Sequence, residues 1–359
     1  MVCTPFERGR LWRSVIRSVQ GTPGICLPSM RRGRISGICR VGCRCVVAFG
    51  FEVPCFGPLT GYRPASGGRL VFSSNKSENG IGIRIPCGQC VGCRLERARQ
   101  WTMRIMHEKR LHSVSSFLTL TYDNDHLPLG GTLVKRDLQL FFKRLRKVTG
   151  DGLRFFACGE YGDFNLRPHY HALLLNFDFM DKLRIGENAR GDVLYTSKKC
   201  SELWPQGHNW IGTVTVDSAA YVARYVMKKM TGDKAQEYYT EYDSDGRCYE
   251  RLPEFTVMSR RPGIGTGWYD KYGEETYVHD SVVLNGREVR PASFYDAKVA
   301  SSNLPVQGTL RQNKSAQFDE IQRKRRRKAV VFRADRTKER LRVREMIVLK
   351  RLQQLKRNI

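Results

Sequence analysis

The stretch RPHYHALLLNF, residues 167–177, sets His169 and His171 on either side of Tyr170 in a chain with only seven histidines. If this stretch is a strand, side-chain alternation sends both imidazoles to one face and Tyr170 and Ala172 to the other. Two nitrogen donors on one face suit a divalent cation. Glu160, on the preceding strand of an expected hairpin, can add a hard oxygen ligand. The competing reading is a pair of strand histidines that only hydrogen-bond their neighbours, and the HxH spacing alone does not choose between the two.

A second constellation lies in AAYVARYVMKK, where Tyr221, Tyr225 and Lys228 follow at i, i+4 and i+7 and therefore share one helical face. A tyrosine stripe is also an ordinary way to pack a core. Chemistry requires more, because a phenol attacks a phosphodiester only where the charge developing on phosphorus is stabilised. A cation held by Glu160, His169 and His171 would do that. With an ordinary pKa of about 10 a tyrosine is mostly neutral at pH 7, so an ammonium on the same face favours phenolate or the transition state. Lys228 fits that role, although it and Lys229 serve equally well as surface charges.

The third constellation is CGQCVGC, with Cys87, Cys90 and Cys93 at repeated C-x2-C spacing. Thiolates at this spacing can wrap one zinc ion, and a closed tetrahedral site needs a fourth ligand. Reduced structural cysteines are the alternative. SRRPGIGTGWYDKY combines Arg260 and Arg261 with glycines and aromatics, a composition suited to phosphate contact and base stacking, or to a tight structural loop.

Elements must hold these groups in place. SSFLTLTYDNDHLP alternates with a period of two among β-formers and ends in turn residues, so it reads as a strand. VKRDLQLFFKRLRKV places Leu138, Phe141, Phe142 and Leu145 on one helical face with basic residues opposite. LRFFACGEYG and HYHALLLNF read as a hairpin, and GHNWIGTVTV as a further strand. Asp217 and Ser218 are suited to cap the tyrosine helix, which Thr231 and Gly232 would end. The helix after CGQCVGC carries Trp101, Ile105 and Met106 among basic residues.

Lysine and arginine outnumber aspartate and glutamate 62 to 35, a formal charge of +27, which points to an anionic partner, nucleic acid first. No run reaches the ~18 apolar residues of a spanning helix, and the first residues lack the apolar core of a signal peptide. These features predict a soluble intracellular protein without a membrane partner. In a reducing compartment its twelve cysteines are free thiols or metal ligands. No phosphate-binding loop for nucleotides is visible.

FLTLTY, RPHYHALL and YVARYVMKK, in that order, resemble the three motifs of HUH endonucleases that initiate rolling-circle replication. PCGQCVGCRLERARQW, FACGEYG, AAYVARYVMKK and MSRRPGIG resemble the replication initiators of gokushovirus-type microviruses, from about Cys55 onward. The resemblance implies an α+β HUH fold, with the histidines on a central strand of an antiparallel sheet flanked by helices. It also implies a nickase that joins a tyrosine to a DNA 5′-phosphate and frees a 3′-hydroxyl. His169, His171 and, by analogy, Glu160 would hold Mg2+ or Mn2+. Tyr221 and Tyr225 would be the alternating nucleophiles and Lys228 their assistant. The implied partners are single-stranded DNA, the phage replication origin, and host helicase and polymerase, in the host bacterial cytoplasm. The family's opening pattern, seen here as PCFGPLTGY, nominates Cys55 as the fourth zinc ligand. A plasmid or transposon nickase, or a zinc-containing DNA-binding protein without catalysis, are the competing readings.

The expected organisation is an Arg- and Cys-rich extension over 1–52, either disordered or upstream of a true start at Val53. A Cys-rich element and basic helix over 53–112 and an endonuclease core over 113–232 follow. An accessory segment with DNA contacts over 233–300 and a basic tail with a terminal helix over 301–359 complete it. Residues Arg323 to Lys328 of that tail are expected to attract DNA electrostatically.

Overall fold

The computed structural model describes residues 55–162, 165–188, 191–225, 234–242, 245–302, 318–327 and 336–354. The extension over 1–52 and Lys228 lie outside these residues. β1 (Leu59–Gly61) and β2 (Ile83–Ile85) pair as a short ribbon ahead of α1 (Val91–Lys109). Then come β3 (Ser115–Tyr122), α2 (Lys135–Thr149), β4 (Arg154–Tyr161), β5 (Pro168–Leu175), β6 (Lys182–Glu187), β7 (Val193–Ser197), α3 (Lys198–Leu203), β8 (Gly207–Gly212) and α4 (Val216–Arg224). α5 (Lys234–Tyr239), β9 (Thr240–Tyr242), β10 (Cys248–Glu250) and β11 (Phe255–Met258) lead to α6 (Thr266–His279), β12 (Val282–Leu284), β13 (Arg287–Val289) and α7 (Ser293–Ser302). The last described helix is Lys338–Gln354.

Seven strands form one antiparallel sheet in the order β11-β4-β5-β3-β8-β7-β6, flanked by helices, which is the α+β architecture of the HUH fold. Side-chain alternation divides the sheet into two faces. Leu118, Leu120, Tyr170, Ala172, Leu174 and Phe155 point to one side, where α2 covers them with Leu138, Phe141, Phe142 and Leu145. All four of these α2 side chains are buried, and burying each contributes about 1.5–3 kcal/mol, enough to hold a strongly basic helix against the sheet. Phe156, Cys158 and Leu173 point to the other side and pack under α1 and α4.

α4 lies close to the sheet because its inner face is made of Ala219, Ala220 and Ala223 around Val222. Its cap differs from expectation. Thr215 accepts from the Ser218 N–H and Ser218 bonds back to Thr215, a closed capping box, so the helix begins at Val216, and Asp217 and Ser218 fall in its first turn. A further core joins α1, α6, α7 and the β12–β13 hairpin around Trp268, Tyr277 and Tyr295.

Residues 318–327 are helical and dock on this core through Ile321 and Phe318. Arg325 is therefore not a free charge of a tail: it pairs with Asp296 at 2.9 Å and with Asp280 at 2.9 Å. Lys328 lies outside the described residues. Among the described residues, no helix is long and apolar enough to cross a membrane.

Candidate active site

Registration of four strands builds the site. Glu160 on β4 stands opposite His169 on β5, which stands opposite Thr121 on β3, which stands opposite His208 on β8. Two residues along, Cys158, His171, Thr119 and Trp210 form a parallel row in the same order. Because the side-chain period is two, both rows lie on one face of the sheet. They continue the apolar surface that α1 and α4 cover, and the cover ends at the tyrosine helix.

One atom gathers the cluster. Glu160 Oε1 lies 2.7 Å from His169 Nε2 and 2.8 Å from His171 Nε2, and it accepts the Tyr221 hydroxyl at 2.9 Å. Glu160 and His171 are buried, while His169 and Tyr221 are half-buried. Tyr225 is buried behind Tyr221, with ring centroids 4.9 Å apart, and donates its hydroxyl to the Tyr221 oxygen. Its ring also stacks on His171 at 6.1 Å. The structure thus brings together Glu160, His169, His171, Tyr221 and Tyr225. Lys228 lies outside the described residues.

The donor set fits a divalent cation. His169 Nδ1 faces the Arg167 carbonyl oxygen at 3.1 Å, so that nitrogen carries a proton. Its Nε2 then faces a second acceptor, Glu160 Oε1. An acceptor pair at 2.7 Å requires positive charge between its members, either a proton on a charged imidazole or a metal ion. Outer contacts of this kind, together with Thr119 Oγ1 at 2.9 Å from His171 Nδ1, fix both rings with Nε2 turned inward. The three ligand atoms lie within 4.8 Å of one another.

Burial opposes ionisation of Glu160, but hydrogen bonds and charge from His169 and His171 outweigh it and hold the carboxyl well below the usual carboxylate range. Burial, and then the charge of Glu160, push both Tyr221 and Tyr225 far above an ordinary phenol. Without a cation, both hydroxyls rest protonated.

Arg260 and Arg261 are not part of this cluster. Ser259 bonds to Phe155 at the opposite end of β4, five residues from Glu160, which is roughly 17 Å along a strand. There the two arginines line a cavity of about 750 Å³ with Arg146 and Arg154. The thiols of Cys55, Cys87, Cys90 and Cys93 meet at the start of α1, away from the histidines on the sheet.

Sequence reading does not find Thr119, His208 and Trp210. The side chains of His208 and Trp210 are exposed, and His208 and Trp210 line a cavity of about 690 Å³ that opens beside His169. Their i, i+2 spacing on a strand is a usable signal. Their place depends on β8 pairing with β3, which local pattern does not reveal.

The family described as Replication-associated protein ORF2 matches residues 115–230, a span that begins with β3 and contains the whole cluster. The chain is 35% identical over 249 residues to the replication-associated protein VP4 of Bdellovibrio phage phiMH2K, covering 66% of this chain and 74% of that protein. It is 33% identical over 210 residues to the replication-associated protein ORF2 of Spiroplasma virus 4, covering 56% and 62% of the two chains. Identity to the replication-associated protein ORF4 of Chlamydia phage 1 is 36% over 211 residues, covering 56% and 50%. No solved structure matches the chain.

Proposed function

The chain belongs to the microvirus family of replication-associated proteins, and from that premise we propose that it initiates rolling-circle replication as a HUH-type nickase. Its substrate is single-stranded or locally melted DNA at the phage origin. The reading rests on one observation: Glu160 Oε1 accepts the Tyr221 hydroxyl at 2.9 Å while facing both histidines.

A Mg2+ or Mn2+ ion held by Glu160, His169 and His171 would supply Lewis-acid polarisation of the scissile phosphate. The chain supplies the rest. Tyr221 oxygen attacks phosphorus, the P–O3′ bond breaks, the phenol gives up its proton and the freed 3′ oxygen takes one up. The products are a 5′-phosphotyrosine and a 3′-hydroxyl, and the phosphotyrosine retains the energy for rejoining, so no nucleotide cofactor is consumed. Tyr225, one helical turn away, repeats the exchange when the new strand is closed.

Trp210 and His208, two strands from the histidines on the same face, offer bases a stacking surface. Host polymerase would extend the 3′-hydroxyl and host helicase would open the duplex, which places the reaction in the bacterial cytoplasm.

The test is incubation with origin DNA and Mn2+, scored for a covalent adduct. The expected adduct forms at the 5′ end, disappears when Tyr221 and Tyr225 are both changed to Phe, and fails to form in His171→Ala although DNA binding persists. Bound but uncut DNA under every metal condition overturns the proposal.

A further inference from the structure

Four thiols stand apart from the nicking chemistry. Cys55 precedes β1, Cys87 and Cys90 bound the turn after β2, and Cys93 sits in the first turn of α1. Their sulfurs lie within 4.8 Å of one another, with Cys87 Sγ 3.9 Å from Cys93 Sγ and Cys90 Sγ 3.9 Å from Cys55 Sγ. We infer that Cys55, Cys87, Cys90 and Cys93 hold one structural zinc ion that fastens the segment at Cys55 to the N-terminus of α1.

The spacing carries the argument. A zinc–sulfur bond of about 2.3 Å gives a tetrahedron whose sulfur–sulfur edges are about 3.8 Å. The two pairs at 3.9 Å are close to that edge, far longer than the ~2.05 Å of a disulfide, and all four cysteines are free. Sulfurs this close surround a single ion and leave no room for a cluster with bridging sulfides.

The donor set decides which ion. Four thiolates favour zinc and disfavour magnesium or manganese, the ions suited to Glu160, His169 and His171. Four protein ligands also leave no open position for substrate, so this ion is structural.

The backbone around the sulfurs is arranged to support negative charge. Cys87 N–H donates to Cys55 Sγ at 3.2 Å, Cys90 N–H to Cys87 Sγ at 3.3 Å, Phe56 N–H to Cys90 Sγ at 3.3 Å, and Cys93 N–H to Cys90 Sγ at 3.5 Å. Amide donors to sulfur stabilise the thiolates that remain after zinc displaces the thiol protons. The turn that aims Cys87 and Cys90 at one point needs Gly88 at φ +76°, a conformation that side chains rarely adopt. Arg97 holds the Gly88 carbonyl at 3.3 Å and brings a positive charge beside the site.

The site has a mechanical consequence. Cys90 is the N-cap of α1, and Trp101 and Ile105 of the same helix belong to the core that includes Val222 and Tyr225. Zinc thus anchors the helix on which the tyrosine helix rests.

The experiment is metal analysis of the full purified chain, alone and in two variants. One zinc per chain should survive dialysis, fall to near none in Cys93→Ser and stay at one in His171→Ala. Should Cys93→Ser misfold, Co2+ exchange into the unaltered chain reads the coordination directly, through intense thiolate charge-transfer absorption and the visible bands of tetrahedral cobalt. Absence of zinc in the unaltered chain, iron in its place, a cobalt spectrum without thiolate bands, or full zinc in Cys93→Ser would each overturn the inference.

Discussion

Thr119 Oγ1 lies 2.9 Å from His171 Nδ1, across the β3–β5 pair in direct register. The hydroxyl fixes the ring without touching the reacting atoms, so Thr119 is a positioning residue. Losing such an outer contact costs about 10–100-fold in metal affinity. Thr119→Val should therefore raise the Mn2+ concentration for half-maximal cleavage by at least about tenfold. The rate at saturating metal and the affinity for DNA should change little, and Thr119→Ser should restore the metal dependence. A lower saturated rate with unchanged metal dependence counts against this role.

Trp210→Ala should weaken binding of a short single-stranded oligonucleotide by about 1–3 kcal/mol, the worth of one base stacked on an aromatic ring. Trp210→Phe should retain most of the affinity. Fluorescence anisotropy measures both, and equal affinity in all three proteins means that bases do not stack there.

Arg260 and Arg261 sit with Arg146 and Arg154 at the end of β4 remote from the histidines, so their proposed contact with DNA is electrostatic and not chemical. Replacing Arg260 and Arg261 with Ala should reduce the slope of log affinity against log salt by about 0.7 for each single-strand phosphate that the variant no longer neutralises. Cleavage of DNA already bound should proceed at the same rate. An unchanged slope would remove these residues from the DNA path.

His107 sets an acid limit on the fold. It is 2% exposed, stacks on Trp268 at 3.6 Å and meets the Tyr295 hydroxyl at 2.9 Å. Burial, with the charge of Arg110 adding to it, pushes its pKa down to about 3. The unfolded chain takes up this proton below about pH 6.5 and the folded chain does not, so stability is complete above that value and declines as pH falls toward 3. By pH 5 the loss is about 2 kcal/mol. Urea midpoints at about pH 7 and pH 5 should differ by that amount, and His107→Gln should show a smaller difference.

Local pattern makes much of this arrangement readable. The β4–β5 hairpin and the buried face of α2 follow from periodicity, and Glu160, His169 and His171 converge because a hairpin in register fixes which residues share a face. What escapes is set by pairing between distant segments. Thr119 and Trp210 reach the histidines only because β3 lies between β5 and β8, and the sheet order is not written in any single stretch. The β6–β7 hairpin is hard to read because β6 is exposed nearly throughout and has no buried face to imprint a period. The cap of α4 lies two or three residues ahead of its expected place because Thr215, Asp217 and Ser218 all have capping side chains, and only the reciprocal bond to Ser218 selects Thr215. Arg325 looks like part of a solvated run because its partners, Asp280 and Asp296, are 45 and 29 residues away.

The closeness of Tyr221 and Tyr225, with rings 4.9 Å apart on consecutive turns of one segment, has a kinetic meaning for the proposed reaction. Both severed ends stay in the grip of a single molecule, and circularisation becomes an internal handover. Its rate should then be first order, the same in a dilute and a crowded host cell, and no second copy of the protein need arrive to finish the circle.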